Sequence, residues 1–329
     1  MDLSRIIDVA LPDFDQVVKG QAGPTASADF LLKGRRSSPV KGVLSAFSAC
    51  CADSSGFPYA AYEAYEEWGR EDGYWFRADP VQFMPSKSRL MMVSPRDLAI
   101  TVTHAQKLID ALNRHFGEDG FEFHMASPNR WYLRMESEVL LNTRPWWCIK
   151  GQDVLACMPE GEWAKRWQGF SNEIQMLFHP IHNPPAEPNP YPAMVNGVWI
   201  WGNGRRPSQN NSLWSKVYSD VAAVKGYAAV QGIKLASLSE GVDGLIGAAQ
   251  NGRVLLAFEN PQDLSENPDG NWYQDLTQTE RQWIRPLLDA LRAERLREIH
   301  WHTGSLSIRM ETKDLRSGLK TWIAKIFRT

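Results

Sequence analysis

Apolar positions follow different periods in different stretches of this chain, and the changes of period divide it. Through residue 73, short apolar runs are broken by the turn-forming clusters Gly20-Gln21-Ala22-Gly23-Pro24 and Gly34-Arg35-Arg36-Ser37-Ser38-Pro39. Helical spacing shows only over Val40 to Cys51 and Ala60 to Trp68, so residues 1–73 read as irregular and partly helical. From Tyr74 the alternation is that of strands. Tyr74-Trp75-Phe76-Arg77 and Leu90-Met91-Met92-Val93 form a predicted ribbon through Asp79-Pro80-Val81-Gln82-Phe83 and a polar turn at Pro85-Ser86-Lys87-Ser88. A helix capped by Ser94 follows, with Asp97 in its first turn and Leu98, Val102, Ala105, Leu108, Ile109 and Leu112 at helical spacing up to Gly117. Phe121 to Met125 and Trp131 to Met135 then alternate around Ser127-Pro128-Asn129-Arg130, a hairpin pattern. Residues 74–159 are thus expected to form a small α+β unit.

Beyond residue 160 the two periods take turns. Trp163, Trp167, Phe170, Ile174, Leu177 and Phe178 make one helical stripe that ends at His179-Pro180. Strands are predicted at Val195 to Trp201, Ile233 to Ala236, Val254 to Phe258, Leu296 to Trp301 and Leu306 to Met310. Helices are predicted between them at Asp220 to Gln231, Glu240 to Gln250 and Thr277 to Leu291, with a last one at Asp314 to Phe327. Such alternation describes an α/β domain over residues 160–329, with a mainly parallel sheet covered by helices on both faces.

Composition changes this picture little. The 329 residues are 43% hydrophobic and 22% charged with a net charge of -2, which excludes a disordered or fibrous chain and gives no global attraction to nucleic acid or an anionic membrane. Fourteen tryptophans suit cores and recognition patches alike. Cys50, Cys51, Cys148 and Cys157 match neither a zinc spacing nor a disulfide framework and are expected as free thiols. The start Met1-Asp2-Leu3-Ser4-Arg5-Ile6-Ile7 is not that of a signal peptide, and no apolar run is long enough to span a membrane, so the expectation is a cytoplasmic protein.

The candidate chemistry gathers at the end of the Val195 to Trp201 run. Gly202-Asn203-Gly204-Arg205-Arg206 offers unobstructed backbone N–H groups and two guanidiniums, a combination suited to phosphate or carboxylate, yet it is neither a P-loop nor a dinucleotide fingerprint. A tight turn at a strand end explains the glycines equally well. Asn196 satisfies its amide either on a neighbouring loop or in a cleft. His179 and His182, just before Asn183, are spaced to reach one metal or to cap and pack the helix end. His300 and His302 alternate on a strand and share a face, opposite Trp301, as a metal pair or an edge face. Glu173 is placed as a general base or as part of a solvated helix face. No nucleophile elbow or supported Cys–His pair is present. Lys313, Arg316, Lys320, Lys325 and Arg328 give the last helix a basic face, which packs outward or docks a nucleic acid or an acidic partner.

Two stretches carry a resemblance. Asn172-Glu173-Ile174-Gln175-Met176-Leu177-Phe178-His179-Pro180-Ile181-His182-Asn183 is followed, after a Pro-rich gap, by Val195-Asn196-Gly197-Val198-Trp199-Ile200-Trp201-Gly202-Asn203-Gly204. With Tyr74-Trp75-Phe76-Arg77-Ala78-Asp79-Pro80-Val81 and Glu280-Arg281-Gln282-Trp283-Ile284-Arg285-Pro286-Leu287-Leu288, they resemble the bacterial RpfE-type regulatory proteins, also labelled cofactor-independent phosphoglycerate mutase-like, over about residues 74–329. The archaeal-type mutases are more distantly similar, and this likeness implies an alkaline-phosphatase-like fold. Those enzymes need two metals, an early Asp-Gly motif, a nucleophilic Ser and a late Asp-His cluster. Here the start reads Asp8-Val9-Ala10-Leu11-Pro12-Asp13-Phe14-Asp15 and the late region Ile299-His300-Trp301-His302-Thr303-Gly304, without those partners. The resemblance therefore implies a non-catalytic regulatory or binding protein without a cofactor. Its remnant pocket would comprise Asn196, Gly202, Asn203, Gly204, Arg205, Arg206, His179, His182 and Asn183, and would take a protein partner or a phosphorylated small molecule. The alternatives are a phosphotransferase using a divalent metal such as manganese, on ligands from His179, His182, His300, His302 and Asp243, and an interaction module for a protein–nucleic acid assembly.

Overall fold

The computed structural model describes residues 3–11, 35–37, 57–149, 151–182, 195–206, 212–258, 278–303 and 306–314. The expected helix Val40 to Cys51, nearly all of the last helix with its basic face, and Asn183 lie outside them. In chain order the strands are β1 (Ile6–Leu11), β2 (Arg35–Ser37), β3 (Tyr74–Ser86), β4 (Arg89–Val93), β5 (Phe121–Ser127) and β6 (Arg130–Met135). They continue with β7 (Gly197–Gly204), β8 (Lys216–Tyr218), β9 (Lys234–Ala236), β10 (Val254–Ala257), β11 (Glu298–Thr303) and β12 (Leu306–Glu311). The helices are α1 (Tyr59–Trp68), α2 (Val102–Phe116), the single turn α3 (Trp146–Ile149), α4 (Ala164–His182), α5 (Ala222–Val230), α6 (Gly241–Ala249) and α7 (Arg285–Arg292), the last entered through a π-helical turn at Glu280–Ile284. The chain divides into two compact units, Asp53–Pro207 and Met1–Ala52 with Ser208–Thr329.

The unit Asp53–Pro207 is built on β3, which pairs antiparallel with β6, β4 and β7, while β5 extends the sheet beyond β6. One face packs Phe76, Ala78, Leu133, Val198 and Ile200 against the apolar stripes of α2 and α4. On the other, Ala60, Ala61 and Ala64 of α1 let that helix approach Trp75 and Tyr132. Beneath α1, Arg77 bonds Glu63 and Asp79, so a buried charge cluster ties helix to sheet. Two expectations are corrected. Ser94 donates its hydroxyl to Asp97 over a single 3-10 turn at Pro95–Asp97, and the helix itself begins at Val102 under a cap from Thr101. The run ending in Gly202 is not the first strand of a parallel sheet: β7 lies antiparallel to β3, with Asp79 opposite Trp199. Its two buried faces produce the uninterrupted apolar run that a central parallel strand also shows.

In the other unit, β11, β1, β10, β8 and β9 run parallel, and β12 and β2 add antiparallel strands at one edge, in the order β2-β12-β11-β1-β10-β8-β9. This agrees with the expected α/β class, except that Arg35–Ser37, within a predicted turn cluster, pairs with β12. Ile7, Val9, Leu11, Leu256, Ile299 and Trp301 face a core closed by Leu245 and Ile246 of α6, Trp283 of the π-helical turn and Leu287 and Leu291 of α7. The parallel register places Asp8 beside His300 and Ala10 beside His302. Because side chains alternate along a strand, these residues point away from that core. On their side Trp214 packs edge-on against Tyr227 of α5, ring centroids 6.1 Å apart.

Cys157 is a buried free thiol, whereas Cys148 is disulfide-bonded, so the expectation of four free thiols fails at Cys148. Among the described residues no helix is long and apolar enough to cross a membrane.

Candidate functional site

Of the residues named from the sequence for a ligand, Asn196, Asn203, Arg205 and Arg206 are engaged within their own unit. Asn196 accepts from the Phe83 N–H at 2.7 Å and donates to the Phe83 carbonyl at 2.9 Å, continuing the β3–β7 ladder with a side chain. Asn203 donates to the Tyr74 hydroxyl at 2.8 Å and the Leu141 carbonyl at 3.1 Å, and accepts from the Thr143 hydroxyl at 2.7 Å. Arg205 donates to the Glu136 carbonyl, and Arg206 pairs with Glu71 at 3.0 Å over the ring of Tyr65. Gly202 has φ +63°, and a Cβ there would meet the Tyr59 Cβ at 2.9 Å; at Gly204 it would meet the Pro58 Cβ at 2.5 Å. The two glycines allow the first turn of α1 to close on β7.

The histidines separate into two groups. His179 and His182 fall on the last turn of α4, where the His179 side chain is exposed. Glu173, on the same helix, is exposed beside His115 at 3.4 Å. Asp243 of α6 is exposed and pairs with Arg295. His300 and His302, by contrast, share one face of β11 and converge there on Asp8, whose carboxylate is fully buried. One ligand atom from each of Asp8, His300 and His302 lies within 4.8 Å of the others, an arrangement able to hold a metal ion.

Hydrogen bonds decide how those ligand atoms are used. The Arg253 Nε and one terminal nitrogen donate to the two Asp8 oxygens at 2.5 and 2.7 Å, and the Trp214 indole N–H donates to Oδ2 at 2.8 Å. The same Arg253 nitrogen lies 3.0 Å from His300 Nδ1. Since a guanidinium only donates, Nδ1 accepts, and the neutral imidazole carries its proton on Nε2, which donates to Glu298 at 2.9 Å. Glu298 in turn receives Arg309 at 2.8 Å. An ionised Asp8 only accepts, so His302 donates from Nε2 to Oδ1 at 3.2 Å, and its Nδ1 lies 2.9 Å from the Ser307 hydroxyl. The His300 Nδ1 lone pair and both carboxylate oxygens are therefore taken by protein donors, and His302 Nε2 is turned to Asp8.

The electrostatics agree. Burial would raise the Asp8 carboxyl, but the hydrogen bonds and charges of Arg253 and His302 override it and hold the group well below the usual carboxylate range. Burial lowers the His300 imidazole against the opposing pull of Asp8 and Glu298. Burial raises Glu298 less than His300 and Arg309 lower it. A divalent cation added beside Arg253 would set like charges together, at ~4 kcal/mol for unit charges 4 Å apart at an effective dielectric of 20. The centre with its guanidinium in place does not fit a metal.

Trp214, Arg253, Glu298 and Ser307 belong to no motif. The signals available in the sequence were single polar residues at apolar strands: Asp8 inside Ile6-Ile7-Asp8-Val9-Ala10, and Arg253 immediately before Val254-Leu255-Leu256-Ala257. The register that brings them together is long-range.

No family model matches the chain. A Geobacter sulfurreducens protein described as a probable 2,3-bisphosphoglycerate-independent phosphoglycerate mutase is 28% identical over 192 residues, covering 56% of this chain and 47% of the relative. The aligned part thus spans about half the length of that relative. Among solved structures, the cofactor-independent phosphoglycerate mutase of Thermoplasma acidophilum aligns over 94% of this chain and 90% of its own, at 12% identity and a TM-score of 0.40. The chain is distantly similar to the cofactor-independent phosphoglycerate mutases.

Proposed function

We propose that this chain is a cytoplasmic regulatory or binding protein derived from a phosphoglycerate mutase-like, alkaline-phosphatase-type fold, and that it does not carry out metal-dependent phosphoryl transfer. One observation carries the reading: in Asp8, His300 and His302, the described set best arranged for a metal, Arg253 and Trp214 hold the carboxylate, Arg253 occupies the His300 Nδ1 lone pair, and His302 Nε2 is bonded to Asp8. Two-metal phosphoryl transfer requires carboxylates free to hold cations and a nucleophile in line with them. The ligand in this reading is a protein partner or a phosphorylated small molecule, bound without turnover.

The test is interconversion of 3- and 2-phosphoglycerate by purified protein with manganese, with and without chelator. No turnover is expected under either condition. Turnover that disappears with chelator and with Asp8→Asn would replace this reading by the second one, a metal-dependent phosphotransferase. That reading has its own support in the clustering of the three ligand atoms and in the description of the Geobacter relative.

A further inference from the structure

We infer that Arg253 stands in for a metal ion: its guanidinium occupies the point where a cation held by Asp8, His300 and His302 would sit, and removing it turns the centre into a zinc site. The distances carry this. Metal–ligand bonds of about 2.0–2.1 Å in tetrahedral geometry place ligand atoms roughly 3.3 Å apart. Asp8 Oδ1 lies 3.4 Å from His300 Nδ1 and 3.2 Å from His302 Nε2, so both separations already have the value that tetrahedral ligation demands. The terminal nitrogen of Arg253 touches two members of that set, Oδ1 at 2.7 Å and His300 Nδ1 at 3.0 Å.

The supporting contacts match those of a metal site as well. Ligating imidazoles need their other nitrogen fixed by a partner, and ligating carboxylates a further hydrogen bond. His300 Nε2 is held by Glu298, His302 Nδ1 by Ser307, and Asp8 Oδ2 by Trp214. The Arg253 backbone is anchored where its carbonyl accepts from the Ser215 N–H at 2.8 Å and the Ser215 hydroxyl at 3.1 Å, and its guanidinium is held by both Asp8 oxygens with the side chain only 14% exposed. One fixed cation thus satisfies a buried carboxylate that would otherwise need an ion from solution. Two imidazoles and one carboxylate, with a fourth position open to water, favour zinc over magnesium or calcium once the arginine is gone.

The inference rests on the reading that the wild-type centre takes no metal, and the experiment separates the two. Wild type, Arg253→Ala and the double variant Asp8→Asn/Arg253→Ala are dialysed against zinc and then against metal-free buffer. Metal content, thermal unfolding with and without zinc, and the visible spectrum of the cobalt-substituted proteins are measured. Arg253→Ala is expected to retain one equivalent of zinc where wild type retains none, to melt higher in zinc, and to show tetrahedral cobalt absorption. Wild type and the double variant are expected to show none of these. If Arg253→Ala is unfolded without zinc and folds when zinc is added, the inference also holds. An Arg253→Ala variant that binds no zinc, or stays unfolded in zinc, overturns it while leaving the proposed function intact. Zinc held at Asp8 in wild type without phosphoglycerate turnover overturns it likewise, and only metal-dependent turnover removes both.

Discussion

At the scale of single residues, carboxylates in each unit depend on an arginine withdrawn from water, half-buried Arg253 beside Asp8 in one and buried Arg77 in the other. In the unit Asp53–Pro207 this is Arg77, which donates to Asp79 at 2.6 Å and Glu63 at 3.0 Å and lies over the rings of Tyr132 and Trp201. Trp201 and Tyr132 complete the cluster by donating to Asp79 and Glu63. Burial raises the Asp79 carboxyl despite the opposing charge of Arg77. Truncating a buried pair on one side costs about 3–5 kcal/mol, because the remaining charge stays desolvated. Arg77→Met should therefore lower stability by about that amount in urea unfolding, and adding Glu63→Gln and Asp79→Asn should recover most of it. A loss below ~1 kcal/mol would show that water reaches the cluster. The sequence pattern ended the strand at Arg77 and left Asp79 in a connection, whereas β3 runs on through both and sets them on one face. Glu63, fourteen residues earlier on a helix, gave no sign of being their partner.

At the scale of elements, β7 shows where local pattern stops being informative. Its apolar run and Gly-x-Gly end are plain in the sequence, and the strand is there. Which strand it joins depends on a partner more than a hundred residues away, and burial of both faces gives this antiparallel strand, paired with β3, the same composition as a parallel one. Asn196 and Asn203 illustrate the same limit, because an amide facing a ligand and an amide completing a ladder look identical in a sequence. His300 and His302 are the opposite case: strand alternation alone put them on one face, and β11 does so. The glycines supply a prediction. Gly202→Ala would force an L side chain into left-handed backbone and drive its Cβ into Tyr59 at the start of α1. The left-handed penalty of about 1–2 kcal/mol and an overpacking term of about 1–3 predict a loss of roughly 2–5 kcal/mol. Local hydrogen exchange should rise most in α1. Gly117→Ala is the control, since its Cβ would meet nothing within 4 Å and its φ carries no left-handed strain; it should stay within about 0.5 kcal/mol of wild type.

At the scale of the whole molecule, the buried titratable groups set how stability depends on pH, and the sign follows from their directions. His300 and His124 are both lowered from the ordinary imidazole value, chiefly by burial, with Arg253 adding to the effect at His300 and Arg70 at His124. The folded chain therefore takes up these protons less readily than the unfolded chain, and the stability they lend is complete above about pH 6.5 and lost as pH falls through that value. Asp8 and Glu298 are lowered from the ordinary carboxylate values, so their contribution is complete above about pH 4 and disappears below it. Asp79 is raised and works in the opposite direction, favouring the folded state on acidification, but it is one group against four. Each group changes stability by at most ~1.4 kcal/mol per pH unit. Urea midpoints measured from pH 8 to 3.5 should accordingly fall in two stages, a shallow one between about pH 7 and 5 and a steeper one below about pH 4. Replacing His300 by Gln removes the proton that would otherwise appear beside Arg253, and should flatten the first stage by about half, leaving the His124 part. A midpoint constant between pH 7.5 and 5.5 in wild type would mean that the imidazoles protonate without disturbing Arg253 or the cations near His124. A second stage unchanged by Asp8→Asn would assign the acid sensitivity to carboxylates other than Asp8, Glu298 on the neighbouring strand first among them.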